Sequence, residues 1–238
     1  MKFASVLTRA HLGLEAPPVR VEVYCGPGLP QLTMVGLAEA AVRESRDRVR
    51  AALAVSGFEF PAGRVTVNLA PADLPKEGGR FDLAVALGIL VASGQLPAAP
   101  LEATEFYGEL SLSGGLRPVR GTLVAALRAA RDGHRLVVPR ASLDEARAAG
   151  AAIVAGADRL AKLCVTLRGG VPLAFAGGAG LPLPAARGAD LADVRGQAAA
   201  RRALEVAAVC AHGLLLSGPP GAGKSMLAGR LADLLPPL

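Results

Sequence analysis

The chain has 238 residues, 52% of them hydrophobic and 19% charged, enough apolar content to bury a core and to exclude wholesale disorder. The net charge is +6, nearly all of it arginine, because Lys2, Lys76, Lys162 and Lys224 are the only lysines. Cys25, Cys164 and Cys210 lie far apart with no C-x-x-C spacing, which disfavours a disulfide framework or a zinc site and fits reduced, buried thiols in a cytoplasmic protein.

Near the N-terminus, the apolar stretch Phe3 to Leu7 is cut short by Thr8, Arg9 and His11 and does not read as a signal peptide. Val19, Val21 and Val23 alternate with polar residues as in a half-buried strand. After the Gly26-Pro27-Gly28 turn, Gln31 to Val35 reads as the next strand. From Ala38 to Ser56 the period becomes helical: Val42, Val49 and Leu53 share one face. Charges of both signs cover the rest of that helix, read as an ion-paired solvated face in preference to a nucleic-acid surface. Val65, Val67 and Leu69 alternate as a strand, followed by the loop Ala70 to Arg80.

Asp82 is expected to cap or open the apolar helix Leu83 to Ser93. Its longest greasy run, Leu83 to Ala92, is about half of what a bilayer requires, so no membrane partner is expected. Glu105 to Leu110 and Leu116 to Val119 read as strands joined at Ser113-Gly114-Gly115. Helix and strand then alternate: Thr122 to Arg131, Leu136 to Val138, Leu143 to Ala149, Ile153 to Val154, and Asp158 to Leu167. Ser142 and Glu145 have capping-box spacing. The sum is an α/β fold over residues 1–168. Gly169 to Gly188 is rich in Gly and Pro and reads as part of a linker, 169–189. Residues 190–238 form a second segment: a helix from about Gln197 to Ala211, a buried strand Gly213 to Ser217, a glycine loop, and a helix Lys224 to Leu235 with Leu227, Leu231, Leu234 and Leu235 inward.

Gly218-Pro219-Pro220-Gly221-Ala222-Gly223-Lys224-Ser225 matches G-x-x-x-x-G-K-[ST], the Walker A phosphate loop, between an apolar strand and an amphipathic helix. Glycines there let backbone N–H groups curl around phosphate oxygens. Lys224 is placed to reach the β- and γ-phosphates, and the Ser225 hydroxyl to ligate Mg²⁺. The loop therefore points to ATP and Mg²⁺. The acidic strand end and water-positioning residue that turnover needs lie downstream of such loops, whereas this sequence ends at Leu238. These residues are expected to bind nucleotide weakly at best, and no catalytic residue is assigned. The basic balance is compatible with nucleic acid or an acidic partner; a GC-rich genome that encodes Arg for Lys is favoured, because no basic run is continuous.

Phe58-Glu59-Phe60-Pro61, the run Val67 to Gly78, Phe81-Asp82-Leu83 and Gly108 to Leu112 resemble the YifB/ComM family of magnesium-chelatase-like AAA+ ATPases. So do Val35-Gly36-Leu37, Val42 to Arg46, and Asp193-Val194-Arg195-Gly196-Gln197. The resemblance implies that residues 1–168 have the Lon proteolytic fold, related to the second domain of ribosomal protein S5. It implies that 190–238 begin an AAA+ P-loop NTPase module, with Val194 and Gln197 in the adenine pocket; the alternative is that they only pack this segment against the phosphate-loop helix.

Against the Lon nucleophile loop, Pro75 to Asp82 puts Arg80 at the serine and Leu123 falls at the lysine. An arginine is no nucleophile and a leucine no base, which disfavours a peptidase. Lys76, Glu77, Arg80 and Asp82 then read as a structural loop with local ion pairs, or as a contact surface for a neighbouring subunit, the first being favoured. The resemblance further implies a homo-oligomer, a hexamer when complete, acting as a motor on DNA in competence and branch migration. A chelatase-type protein-remodelling ATPase and a non-catalytic assembly or binding module are the alternatives.

Overall fold

The computed structural model describes residues 2–35, 40–76, 78–169, 172–177 and 190–235. Gly36, Leu37, Glu77, Leu238, most of the stretch read as a linker, and the side chains of Val42 and Arg43 lie outside the described residues. The chain divides into two units, residues 1–181 and 182–238.

The first unit is mixed α/β. Strand β1 (Phe3–Arg9) buries Ala4, Val6 and Thr8 on one face and pairs antiparallel with β2 (Pro18–Gly26), Val6 opposite Val21. The period-two pattern of Val19, Val21 and Val23 is what places β2 in the core. Beyond β2 come β4 (Arg64–Ala70), antiparallel to it, and β3 (Gln31–Val35), parallel to β4. Helix α1 (Ala40–Val55) connects β3 to β4, burying Val49, Ala52 and Leu53 while Arg46, Asp47 and Arg50 face solvent. Helix α2 (Asp82–Ala92) is buried over its whole length. It comes so close to β1 and β2 that a Cβ on Gly88 would lie 2.6 Å from Val23 Cγ2.

On the other side of β1 follow β5 (Thr104–Phe106), β8 (Arg135–Pro139) and β9 (Ile153–Ala157), each parallel to its neighbour, and then β10 (Ala176–Gly177), antiparallel to β9. The sheet order is β10-β9-β8-β5-β1-β2-β4-β3. The continuous strand expected over Glu105 to Leu110 breaks at Gly108. There the Gly108 N–H donates to the Arg80 carbonyl and its carbonyl accepts from the Leu83 N–H, so the backbone turns to the start of α2. It then forms a separate hairpin of β6 (Glu109–Leu110) and β7 (Leu116–Arg117).

Helices α3 (Thr122–Arg131), α4 (Leu143–Arg147) and α5 (Leu160–Leu167) follow the expected alternation. Two sequence expectations change at their ends. Asp82 opens α2 but makes no side-chain cap on it. Ser142 and Glu145 form no capping box; the Glu145 carboxylate accepts instead from the Leu123 N–H, 3.0 Å away, in the first turn of α3. The core is two-layered about the sheet. Buried residues of α1, α2 and α5 pack with Val137, Ala155 and Ala157, and those of α3 and α4 with Leu136, Val138 and Val154. Leu173 and Phe175, within the stretch read as a linker, pack on the first of these layers.

In the second unit, a one-turn 3-10 helix (Leu191–Asp193) precedes α6 (Ala198–Cys210), α7 (Lys224–Ala228) and α8 (Leu231–Leu234). Leu191, Val194, Leu204 and Leu227 form its buried cluster, with Leu216, Leu231 and Leu234 packed at the margin. The strand expected over Gly213 to Ser217 does not form, the segment having no regular secondary structure, and Leu215 is 91% exposed. Among the described residues of this unit there is no second strand to make a ladder, and strand propensity without a pairing partner does not make a strand. The single helix expected over Lys224 to Leu235 is interrupted at Gly229–Arg230, and Leu235 is exposed. Glycine is unfavourable inside a helix by about 1 kcal/mol. The Arg230 guanidinium also leaves the helix line to donate to the carbonyls of Asp190 and Met226.

Candidate functional site

The eight residues Gly218 to Ser225 run from the irregular segment Gly213 to Ser217 into the first turn of α7. Gly221 and Gly223 hold φ of 82° and 80°, left-handed values that favour glycine. A Cβ at Gly223 would press to 3.1 Å from Gln197 Nε2 and 3.3 Å from Met226 Cε. The Lys224 ammonium folds back over the loop and donates to the carbonyls of Gly218 at 2.9 Å and Pro219 at 2.8 Å. That leaves one of its three N–H donors free of these carbonyls and holds the loop closed on itself. Ser225 is exposed in the first turn of α7. Pro219, Pro220 and Ala222 are exposed loop residues, the Ala222 N–H donating to the Pro219 carbonyl.

The two residues placed near the adenine are separated by the structure. Gln197, itself at φ 52°, donates its side-chain amide to the Ala222 carbonyl at 3.4 Å, so it touches the phosphate loop. Val194 is buried in the small core that includes Leu227. Sequence reading missed Arg230, whose hydrogen bonds join the 3-10 turn to the end of α7; no motif marks it.

In the first unit the loop over Pro71 to Phe81 leads into α2. Arg80 donates to the Tyr107 hydroxyl at 2.9 Å, and that hydroxyl donates to the Arg120 carbonyl. Burial pushes the Tyr107 phenol up from its ordinary value. Lys76 is buried and its ammonium donates to the carbonyls of Pro71 and Leu74; burial holds it below the usual lysine value. The Asp82 carboxylate, fully buried, accepts from Ser45, from Arg48 Nε at 2.7 Å and from the Leu110 N–H at 3.2 Å. Burial pushes it above the ordinary carboxylate value against the pull of those donors. These contacts tie the described part of the loop to its own carbonyls, to Tyr107 and to α1, and the Asp82–Arg48 ion pair spans 34 residues instead of being local. Leu123, at the position of the Lon lysine, lies in the first turn of α3.

Glu105, Asp132 and His134 bring ligand atoms within 4.8 Å of one another. The space is taken by Arg9, which donates to both Glu105 oxygens at 2.6 Å and to Asp132 at 2.5 Å. A guanidinium among the oxygens opposes a cation there, and the cluster is an ion-pair network tying β1 to β5. Of the three thiols expected to be buried, Cys164 is, Cys25 is half-buried and Cys210 is exposed; burial pushes the Cys164 thiol up to about 12, which disfavours its thiolate.

A mixed α/β unit followed by a glycine loop that opens a helix is the chelatase-like AAA+ arrangement. Residues 21–142 match the family described as subunit ChlI of Mg-chelatase, and residues 190–238 match the one described as magnesium chelatase, subunit ChlI. The whole chain is 50% identical to YifB of Salmonella typhimurium over 238 residues and 47% identical to YifB of Escherichia coli over 241. It is 45% identical over 240 residues to the competence protein ComM of Haemophilus influenzae, with 99% of the chain covered. The chain belongs to the YifB/ComM magnesium-chelatase-like family. It spans 47% of the length of each of these curated relatives. Among the described residues no helix is long and apolar enough to cross a membrane.

Proposed function

We propose that the loop Gly218 to Ser225 binds the phosphates of ATP with Mg²⁺, and that in complete proteins of this family the nucleotide drives a homo-oligomeric motor, a hexamer, acting on DNA in the cytoplasm. The observation that carries the first part is the loop itself: left-handed glycines at 221 and 223, a close approach of Gln197 and Met226 to position 223, and a lysine ammonium already bonded to the loop. These residues fit a phosphate group. Lys224 would exchange its carbonyl partners for phosphate oxygens, gaining charge-assisted hydrogen bonds. Ser225 would hold Mg²⁺, and Gln197, already against the loop, would reach the adenine side with Val194 behind it. Bound ATP supplies a phosphoanhydride whose hydrolysis releases free energy; no residue of this chain is assigned to that step.

The kinship with ComM, a protein named for competence, supports the DNA reading. The family description as a chelatase subunit supports a second one, in which the ATPase remodels a protein partner. Binding of a fluorescent ATP analogue with Mg²⁺ tests the loop. Lys224→Ala is expected to weaken it by about ten-fold or more, the worth of a charge-assisted contact. Equal binding by both forms would overturn the assignment. ATPase activity of the complete protein, measured with DNA and with candidate protein partners, separates the two motors: stimulation by DNA supports the first, indifference to DNA the second.

A further inference from the structure

Strands β8 and β9 are parallel neighbours, yet the chain leaves them on opposite faces. From β8 it enters α4, whose Leu143 and Ala146 pack with Val138 and Val154; from β9 it enters α5, whose Leu160 and Leu163 pack with Val137 and Ala155. The strand order runs on without reversing there, but two segments that part to opposite faces still leave a crevice outside the carboxyl ends of their strands, the end of an open α/β sheet at which ligands bind. The crevice is present, a cavity of about 220 Å³ whose lining includes Arg140, Arg147, Asp158, Lys162, Leu163 and Leu173.

Its charges are unequally matched. Arg140 Nε lies 3.0 Å from each oxygen of Asp158, so that pair is neutral. Arg147 Nε is closed off from solvent and has no hydrogen-bond partner among the described residues. Among those residues neither Arg147 nor the exposed Lys162 makes an ion pair. That nitrogen is closed even to water, so an oxyanion in the crevice would meet the half-buried Arg147 side chain through the rest of its guanidinium, a charged donor group. Two uncompensated positive charges match a phosphate monoester, which carries close to −2 at neutral pH, better than a carboxylate. The volume falls below the roughly 300–1,000 Å³ of pockets for drug-sized ligands. A whole nucleotide is therefore too large, whereas a phosphate head with a short apolar body against Leu143, Leu163 and Leu173 fits.

We propose that this crevice binds a small phosphomonoester, at a site separate from the phosphate loop of the second unit. The test is a titration of the ¹⁵N-labelled full chain carrying Lys224→Ala, which disables the loop, with phenyl phosphate and, in parallel, benzoate. Phenyl phosphate is expected to give saturable shifts at the amides of Gly156 to Asp158 and Lys162 to Thr166. Benzoate should bind about ten-fold more weakly, and Arg147→Gln and Lys162→Gln should each weaken phenyl phosphate by about ten-fold. Lys162 is exposed, so its replacement leaves the fold intact and keeps the test sound if Arg147→Gln destabilises the chain. The proposal is overturned by the absence of saturable shifts at those amides, by equal affinity for benzoate, or by shifts that Lys162→Gln leaves unchanged.

Discussion

At the scale of single residues, the most consequential contact is one that no motif announces. Arg48 sits among the outward charges of α1, yet it turns inward, to the buried Asp82. Helical period identifies the solvated face but says nothing about which long side chain will bend across its edge; that depends on a carboxylate 34 residues away. Asp82 is held up in pKa by burial, so the folded chain takes up its proton at a higher pH than the unfolded chain does. The sign follows from proton linkage: this group's contribution to stability falls as pH rises from the unfolded value, about 3.9, through the raised folded value. Removing Arg48 raises that folded value further and leaves an unpaired buried charge. Arg48→Met is therefore expected to lose about 3 kcal/mol at pH 7, the low end for a broken buried pair because Arg48 remains partly wetted. The loss should shrink as pH is lowered toward 5. Denaturant melts at the two pH values check it; a variant whose deficit is the same at both would show that Asp82 does not carry the effect.

Among the elements, legibility in the sequence tracks how local the determining forces are. The alternation over Thr122 to Leu167 was readable because each helix or strand there carries its own period and turn. Strand β1 was not, since Ala4 and Thr8 are weak apolar signals and the strand is made by pairing with β2 and β5. The segment Gly213 to Ser217 errs in the opposite direction: three consecutive leucines have the composition of a buried strand but no ladder. Helix α2 gives the sharpest case. Its uniform greasiness foretold burial, but only the structure shows why position 88 is glycine. Helix propensity alone predicts that Gly88→Ala stabilises by about 1 kcal/mol. The 2.6 Å approach to Val23 Cγ2 predicts the reverse, because the methyl must push α2 off the sheet. A loss of about 1–3 kcal/mol is expected, as for overpacked cores, measured by urea unfolding. A gain in stability would mean that the helix and β2 can separate freely.

For the molecule as a whole, the two units differ in how much core they possess. The first buries two layers on either side of an eight-stranded sheet, whereas the second has, among the described residues, a single small cluster of Leu191, Val194, Leu204 and Leu227. Leu215 and Val209 stand almost fully exposed in the second unit, so few contacts oppose its local opening. The glycine loop was legible in the sequence because its motif is local and complete. The state of its surroundings was not, because that depends on the packing of residues far apart in the chain. Local stability follows buried contacts, and amides of α6 and α7 are expected to exchange with solvent well before those of β1, β2 and β4. If the loop binds nucleotide, ATP with Mg²⁺ at about 100 times its dissociation constant should add roughly 2.7 kcal/mol of protection to the second unit. Exchange in β1, β2 and β4 should not change, since opening of the first unit need not disturb the loop. Protection gained only in the second unit, and lost with Lys224→Ala, would join the loop geometry to binding. Unchanged exchange in α6 and α7 would show that nucleotide does not engage these residues, leaving the mixed α/β unit as the part of this chain whose structure bears on function.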